Sequence, residues 1–196
     1  MTTYSDIELD ALRELANIGS GNAATSLSAL VGQEIDVDVP RALALSLADA
    51  VESAGPAEQE VVGVALQISG DMDAIVLLVF PEQDAATLCG LLGVDPNTEV
   101  GQSALGEIGN ILGSSYVGAL ASMTGIQLEP HPPQTIVDML AAIVSTVLAA
   151  GAQEDDVALM LDSNLNIAGT ACSLAFMLVP SRAGVAEMLV RLGLPG

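Results

Sequence analysis

The sequence predicts an α+β fold, internally duplicated about a pseudo-two-fold axis, with two long helices packed on a mixed or antiparallel sheet. Three observations lead there. The segment ELANIGSGNAATSLSALVGQEI from Glu14 returns as EIGNILGSSYVGALASMTGIQL from Glu107, an offset of 93 positions. Farther on, VLLVFPEQDAATLCGLLG (Val76–Gly93) is matched by LAFMLVPSRAGVAEMLVRLG (Leu174–Gly193): an apolar strand, a proline, then a helix ending in Leu-Gly. Finally, two apolar runs flank Gly70-Asp71-Met72-Asp73, the chemistry of a hairpin turn, which requires antiparallel neighbours. A repeat this long marks a duplication rather than a solenoid. The expected organisation is a single domain over residues 1–196, with halves of about 1–97 and 98–196. Asp95-Pro96-Asn97 between them is a turn, too short to let two bodies move apart.

The elements follow in order. Ser5-x-x-Glu8 is a capping box that opens the first helix, which runs to Val31 and stops at Gly32. Ile35, Val37 and Val39 alternate with Glu34, Asp36 and Asp38, the pattern of a half-exposed strand ending at Pro40. Leu43, Leu45 and Leu47 alternate again. Strands at Val62–Ser69 and Ala74–Phe80 form the hairpin, and Gln83–Leu92 a helix. The second half repeats the scheme with a helix over Thr98–Thr124 and strands near Ile126–Leu128 and Thr135–Asp138. Strands at Val157–Asp162 and Ile167–Leu178 follow, then a helix at Ser181–Leu192. The stretch Ile136–Ala152 is interrupted by Asp138 and slightly short for a membrane span, so it is expected to hold a buried helix.

Composition narrows the function. Hydrophobic residues make up 51% of the chain but aromatics only 2%, so the core is built from Ala, Val, Leu and Ile, with no stacking platform for bases. The net charge is −21, and the four basic residues are Arg13, Arg41, Arg182 and Arg191. Such a surface repels nucleic acid and anionic membranes. An acidic bias without lysine points to a halophilic proteome, where salt screens the self-repulsion. Cys89 and Cys172 lie in apolar runs without metal-ligand spacing, as buried reduced thiols do. The N-terminus has neither the basic nor the apolar region of a signal peptide, so a soluble, cytoplasmic protein is expected.

Helical spacing then isolates a pattern. Asp10, Glu14 and Asn17 stand at i, i+4 and i+7 and form one stripe, which Gly21 continues with bare backbone. Leu12, Leu15, Ala16, Ala23 and Leu30 fall on the opposite side, toward the sheet. In the second long helix Ser103, Glu107, Asn110 and Ser114 occupy the matching stripe, with Leu105, Ile108 and Leu112 inward. Pro40 follows Asn17 after 22 residues, and Pro133 follows Asn110 after the same number. One Glu-x-x-Asn on a helix ordinarily does no more than solvate a surface. Two copies, each with the same distant proline, argue for chemistry, because asparagine inside a helix is locally unfavourable.

The pattern Asp/Ser-x3-Glu-x2-Asn-x22-Pro, read here as Asp10-Ala-Leu-Arg-Glu14-Leu-Ala-Asn17…Pro40 and Ser103-Ala-Leu-Gly-Glu107-Ile-Gly-Asn110…Pro133, resembles the CheC/CheX/FliY phosphatases of bacterial and archaeal chemotaxis. The resemblance extends over essentially the whole chain, and the two complete motifs are CheC-like. It implies hydrolysis of the aspartyl phosphate of a CheY-type response-regulator receiver. It further implies that Glu14, Asn17, Glu107 and Asn110 act directly, supported by the motif residues Asp10, Pro40, Ser103 and Pro133; Gly21 and Ser114, which continue the two stripes, are read as supporting from the helical spacing. Asn17 or Asn110 would align the attacking water, and Glu14 or Glu107 would pair with the receiver's lysine. Pro40 and Pro133 would shape the adjacent backbone. No cofactor of the chain's own is implied; Mg²⁺ belongs to the receiver substrate. The resemblance also implies the receptor deamidase CheD as a partner. The alternative it leaves is a regulatory module acting mainly through CheD or a flagellar switch component. Because internal duplication already supplies a pseudo-symmetric pair, a monomer is expected.

Other signals are set aside. Gly19-Ser20-Gly21-Asn22-Ala23-Ala24 fits a loose dinucleotide pattern, but its residues are already helical, whereas that motif needs a strand before it. His131 lies between Pro130 and Pro132 with no ligand partners, so no metal site is expected. Asp71, Asp73, Glu154, Asp155 and Asp156 read as solvated turns.

Overall fold

The computed structural model of the chain describes residues 6–149, 156–167, 169–181 and 191. Helix α1 (Asp6–Val31) leads into β1 (Ile35–Ser46), α2 (Leu47–Ala54), the hairpin β2 (Glu60–Gly70) and β3 (Ala74–Pro81), and α3 (Glu82–Leu91). The second half follows with α4 (Glu99–Thr124), β4 (Leu128–Pro130), β5 (Gln134–Met139), α5 (Leu140–Ala149), β6 (Val157–Ile167) and β7 (Thr170–Pro180). Thr98 caps α4, its hydroxyl accepting from Gly101 N at 3.2 Å, and Gly125 ends the helix in the left-handed region at φ 72°. The capping box at Ser5 and most of the helix expected at Ser181–Leu192 lie outside the described residues.

Among the described residues seven strands form one sheet, ordered β1-β6-β7-β3-β2-β4, with β5 also on β2, and every pairing is antiparallel. The halves interleave. β1 pairs only with β6 of the other half, and β4 and β5 only with β2, while β3 and β7 meet at the centre. The fold is therefore α+β with an antiparallel sheet, as expected.

The sheet is covered on both faces. The larger core joins α1, α3 and α4 to one face through Leu15, Leu27, Leu88, Leu105, Leu112 and Tyr116. The smaller core lies on the other face, where Leu47 and Ala50 of α2 and Leu140, Ile143 and Val147 of α5 meet Leu77 and Met177. The alternation of Leu43, Leu45 and Leu47 suggested a strand through Leu47. Instead Ser46 caps a helix there, accepting from Asp49 N at 3.1 Å. α5 is the helix expected within Ile136–Ala152, but Ile136–Met139 belongs to β5. The helix is buried on one side only, with Leu140, Ile143 and Val147 inward and Ala141, Ser145 and Thr146 exposed.

Four further expectations are corrected. β1 does not end at Pro40 but continues to Ser46. Its register against β6 moves from Asp38↔Asn164 to Arg41↔Asp162, three residues against two, so a β-bulge absorbs the proline on an edge strand. Ile167 closes β6 instead of opening β7, because Gly169, at φ 84°, makes the turn between them. Leu30 is 46% exposed, since Leu27 and Val31 already take the inward positions at the end of α1. Asp156 is buried rather than solvated, and its carbonyl accepts from Leu47 N at 2.8 Å, joining β6 to the start of α2.

Close packing relies on missing side chains. A Cβ at Gly109 would stand 2.7 Å from Val64 Cγ1, one at Gly106 2.8 Å from Thr135 Oγ1, and one at Gly113 3.2 Å from Leu66. These glycines, at i, i+3 and i+7, seat α4 directly on β2 and β5. On α1 a Cβ at Gly19 would fall on the ring of Tyr116, which contacts Phe176 at 4.8 Å between centroids and reaches Ser163 Oγ at 3.2 Å. Gly109→Leu should therefore destabilise the protein by about 1–3 kcal/mol through overpacking, read as a lower denaturant midpoint at unchanged m-value.

Cys89 and Cys172 are buried free thiols. Burial raises both thiol pKa values, helped by the nearby carboxylates of Asp95 and Asp84 respectively. Burial also raises the Tyr116 phenol, partly offset by its bond to Ser163. A group that holds its proton more tightly when folded stabilises the fold below its unfolded pKa and loses that contribution as pH rises. Stability should fall from about pH 9 upward, the unfolded thiol value. At pH 8 a thiol reagent should react with neither cysteine until denaturant opens the chain; prompt labelling of the folded protein would contradict this.

Candidate functional site

Both stripes stand on the outer side of the helix layer. On α1, Leu15, Ala16, Ala23 and Leu27 are buried, while Glu14, Asn17 and Gly21 are exposed. On α4, Leu105, Ile108 and Leu112 are buried, Ser103 and Glu107 exposed, and Asn110 and Ser114 half-buried. Asp10 belongs to α1 and Pro40 to β1. Among the described residues neither glutamate is paired with an arginine of the chain, and the Asn17 side chain makes no hydrogen bond. The helices thus present two carboxylates and a primary amide that the fold itself does not occupy. Space beside Gly21 is open, with nothing within 4 Å of where a Cβ would lie.

The prolines acquire a structural account. Before Pro40, Ile35, Val37 and Val39 face the α1 layer; after it, Ala42 does so while Leu45 faces the opposite core. The extra residue at the bulge reverses which parity points inward. In the second half the matching strand is interrupted between β4 and β5, with half-buried Pro133 just before β5. Parity reverses there as well: Leu128 belongs to the α4 side, yet Ile136 packs on the other core and Thr135 turns to α4. Thr135 Oγ1 donates to Gln102 O at 3.3 Å, so the strand after Pro133 is pinned to the turn that carries Ser103. Each proline marks the point where an edge strand shifts to fit its long helix. Gly106, Gly109 and Gly113 were not singled out from the sequence, although their helical spacing is a readable signal.

Charge is also arranged around the stripes. The chain carries −21, yet between Gly101 and Thr124 its one charged residue is Glu107. From Leu15 to Gln33 there is none, and Arg13 stands beside Glu14. Beyond Asn17 and Asn110 neither long helix carries a charge, so the nearest carboxylate on each helix is the stripe's own glutamate.

The remaining signals resolve structurally. Gly19 lies inside α1 beneath Tyr116, a packing glycine. His131 bonds Ser69 Oγ through Nε2 at 2.8 Å, and its backbone N–H donates to Gln67 O. Asp71 is exposed as expected but is more than a turn residue, for its Oδ2 accepts from Gln127 N at 2.8 Å. No helix among the described residues is long and apolar enough to cross a membrane.

A family model described as the CheC-like family matches residues 7–43 and 100–137, two segments that each contain one stripe and its proline. The CheY-P phosphatase CheC of Bacillus subtilis is 32% identical over 166 residues, covering 81% of this chain and 79% of that protein. The chain belongs to the CheC-like family. A putative CheY-P phosphatase CheC1 of Halobacterium salinarum is 27% identical over 173 residues, 85% of this chain and 87% of that one. In fold, the chain is similar to the crystal structure of Thermotoga maritima FliY, with a TM-score of 0.77 at 21% identity over 98% of both chains.

Membership gives the stripes a cost that can be measured. Alanine is favoured over asparagine in a helix interior by roughly 0.5–0.7 kcal/mol. Since Asn17 is exposed and makes no side-chain bond, Asn17→Ala in this CheC-like protein should raise thermal stability slightly. A drop of several degrees in Tm would mean that Asn17 serves the fold.

Proposed function

We propose that this chain is a phosphatase that hydrolyses the aspartyl phosphate of a CheY-type receiver, using one Glu-x-x-Asn stripe per half. The observation that carries the reading is the pair of stripes. From Asn17 and Asn110 to their C-terminal ends both helices are free of charge, and both glutamates are unpaired, in a chain 32% identical to a protein named a CheY-P phosphatase.

In this reading the receiver brings its phosphoaspartate, its Mg²⁺ and its lysine, and the chain supplies position. Glu107, or Glu14 in the first half, pairs with the receiver's lysine and sets the register of the helix on the receiver. Asn110, or Asn17, hydrogen-bonds a water and holds it in line with phosphorus. An amide suits the task, since it both donates and accepts and cannot become charged. The water oxygen bonds to phosphorus and the bond from phosphorus to the aspartyl oxygen breaks. The products are inorganic phosphate and the receiver's free carboxylate, with the water's protons passing to solvent and phosphate. CheD and the flagellar switch remain partners that the family suggests.

The test mixes the chain with a phosphorylated cognate receiver and Mg²⁺ at high salt and follows phosphate release. Wild type should accelerate release, and Asn17→Ala with Asn110→Ala should lower the rate on the order of 10²–10³-fold, as for other transition-state hydrogen bonds. A double variant with wild-type activity would remove the assignment. Absence of acceleration by wild type would favour the regulatory alternative.

A further inference from the structure

The two stripes agree at their glutamate and asparagine but differ one turn beyond the asparagine. Ser114 stands at that position on α4, and Gly21, 93 residues earlier, stands there on α1. Ser114 Oγ lies 3.5 Å from Asn110 Oδ1, with the hydroxyl donating. Both side chains are half-buried. Asn17, by contrast, is exposed, and Gly21 offers it nothing to bond.

Resting on the function proposed above, we propose that Ser114 is a positioning residue, which makes Glu107–Asn110 the pre-organised stripe and Glu14–Asn17 the looser one. A primary amide on a helix surface samples several rotamers, and each unproductive one takes it away from the water it must hold. Donation from Ser114 to Oδ1 selects the rotamer in which the oxygen points along the helix toward the next turn. The oxygen keeps a second lone pair for a water, and the NH₂ group remains free. A hydrogen bond accepted at oxygen also polarises the amide and strengthens the N–H groups as donors. The glutamate that docks the receiver is untouched, so Ser114 acts on the chemical step rather than on binding.

Two measurements test this, one of them independent of activity. In ¹⁵N relaxation the side-chain NH₂ of Asn110 should be more ordered than that of Asn17. Ser114→Ala should lower Asn110 to the Asn17 level, and Gly21→Ser should raise Asn17. Equal order in the wild type overturns the proposal, whatever the catalytic result. For the rate, each stripe is isolated by removing the other asparagine. With Asn17→Ala in place, Ser114→Ala should lower kcat about threefold to tenfold at unchanged KM, and Ser114→Thr should retain most of it. With Asn110→Ala in place, Gly21→Ser should raise kcat. An unchanged kcat in Ser114→Ala, or a change confined to KM, sinks the positioning role. If instead wild type is inactive while the order difference holds, the phosphatase reading has failed and the Ser114–Asn110 restraint stands.

Discussion

Among the described residues, the strands at both edges of this sheet find their only partners in the opposite half of the chain. β1 rests on β6, and β4 and β5 rest on β2, so each half alone would leave its edge strands without a ladder. That crossing accounts for much else. It places β3 and β7 together at the centre and brings α1 and α4 to the same face. The contact between them is then tight enough that Gly19 must be bare beneath the Tyr116 ring. Two stripes on one face are thus a consequence of how the duplicated halves pair, not a separate arrangement.

The same edges explain why a proline recurs so far from the residues it accompanies. An edge strand can accept a proline because one of its sides needs no hydrogen-bond donors. At Pro40 the strand gains a residue, and at the break before Pro133 it is interrupted; in both cases the inward parity reverses. Without that reversal, a strand with the right residues toward the helix at one end would present the wrong ones at the other. The spacing of 22 residues is the distance from the asparagine to the end of the helix, round the turn and back along the strand to this shift.

Much of this was legible in the sequence because it is local. The long helices, the hairpin turn at Gly70 and the stripes follow from periodicity and turn chemistry over a few residues. What was lost depended on partners distant in the chain. The alternation of Leu43, Leu45 and Leu47 resembles a strand until Ser46 caps a helix. The cue, Ser46-x-x-Asp49, was present but outweighed by the alternation. Pro40 read as a strand end because nothing local says that β1 is an edge strand. Asp156 read as solvated because its burial comes from the packing of β6 against the start of α2. The stripes themselves were found from the duplication, since either one alone resembles an ordinary solvated face.

The charge distribution ties the fold to the chemistry proposed for it. A protein of net −21 is a poor partner for a phosphorylated acidic pocket unless the charge is kept away from the point of contact. Here α4 approaches with a single carboxylate between Gly101 and Thr124, placed so that a partner's cation can meet it. Apart from Glu99 in its first turn, the rest of that helix is Ala, Gly, Ser, Leu and other uncharged residues. Gly109 and Gly113 let α4 sit directly on β2, while Ser103 and Glu107 remain exposed on its outer side. At high ionic strength the Debye length falls to about 3 Å near 1 M salt, so the distant acidic residues are screened while a contacting glutamate is not. Under the proposed phosphatase reading, strong screening would leave recognition to direct contact, for which the unpaired carboxylate of Glu107 on an otherwise uncharged stretch of α4 is suited.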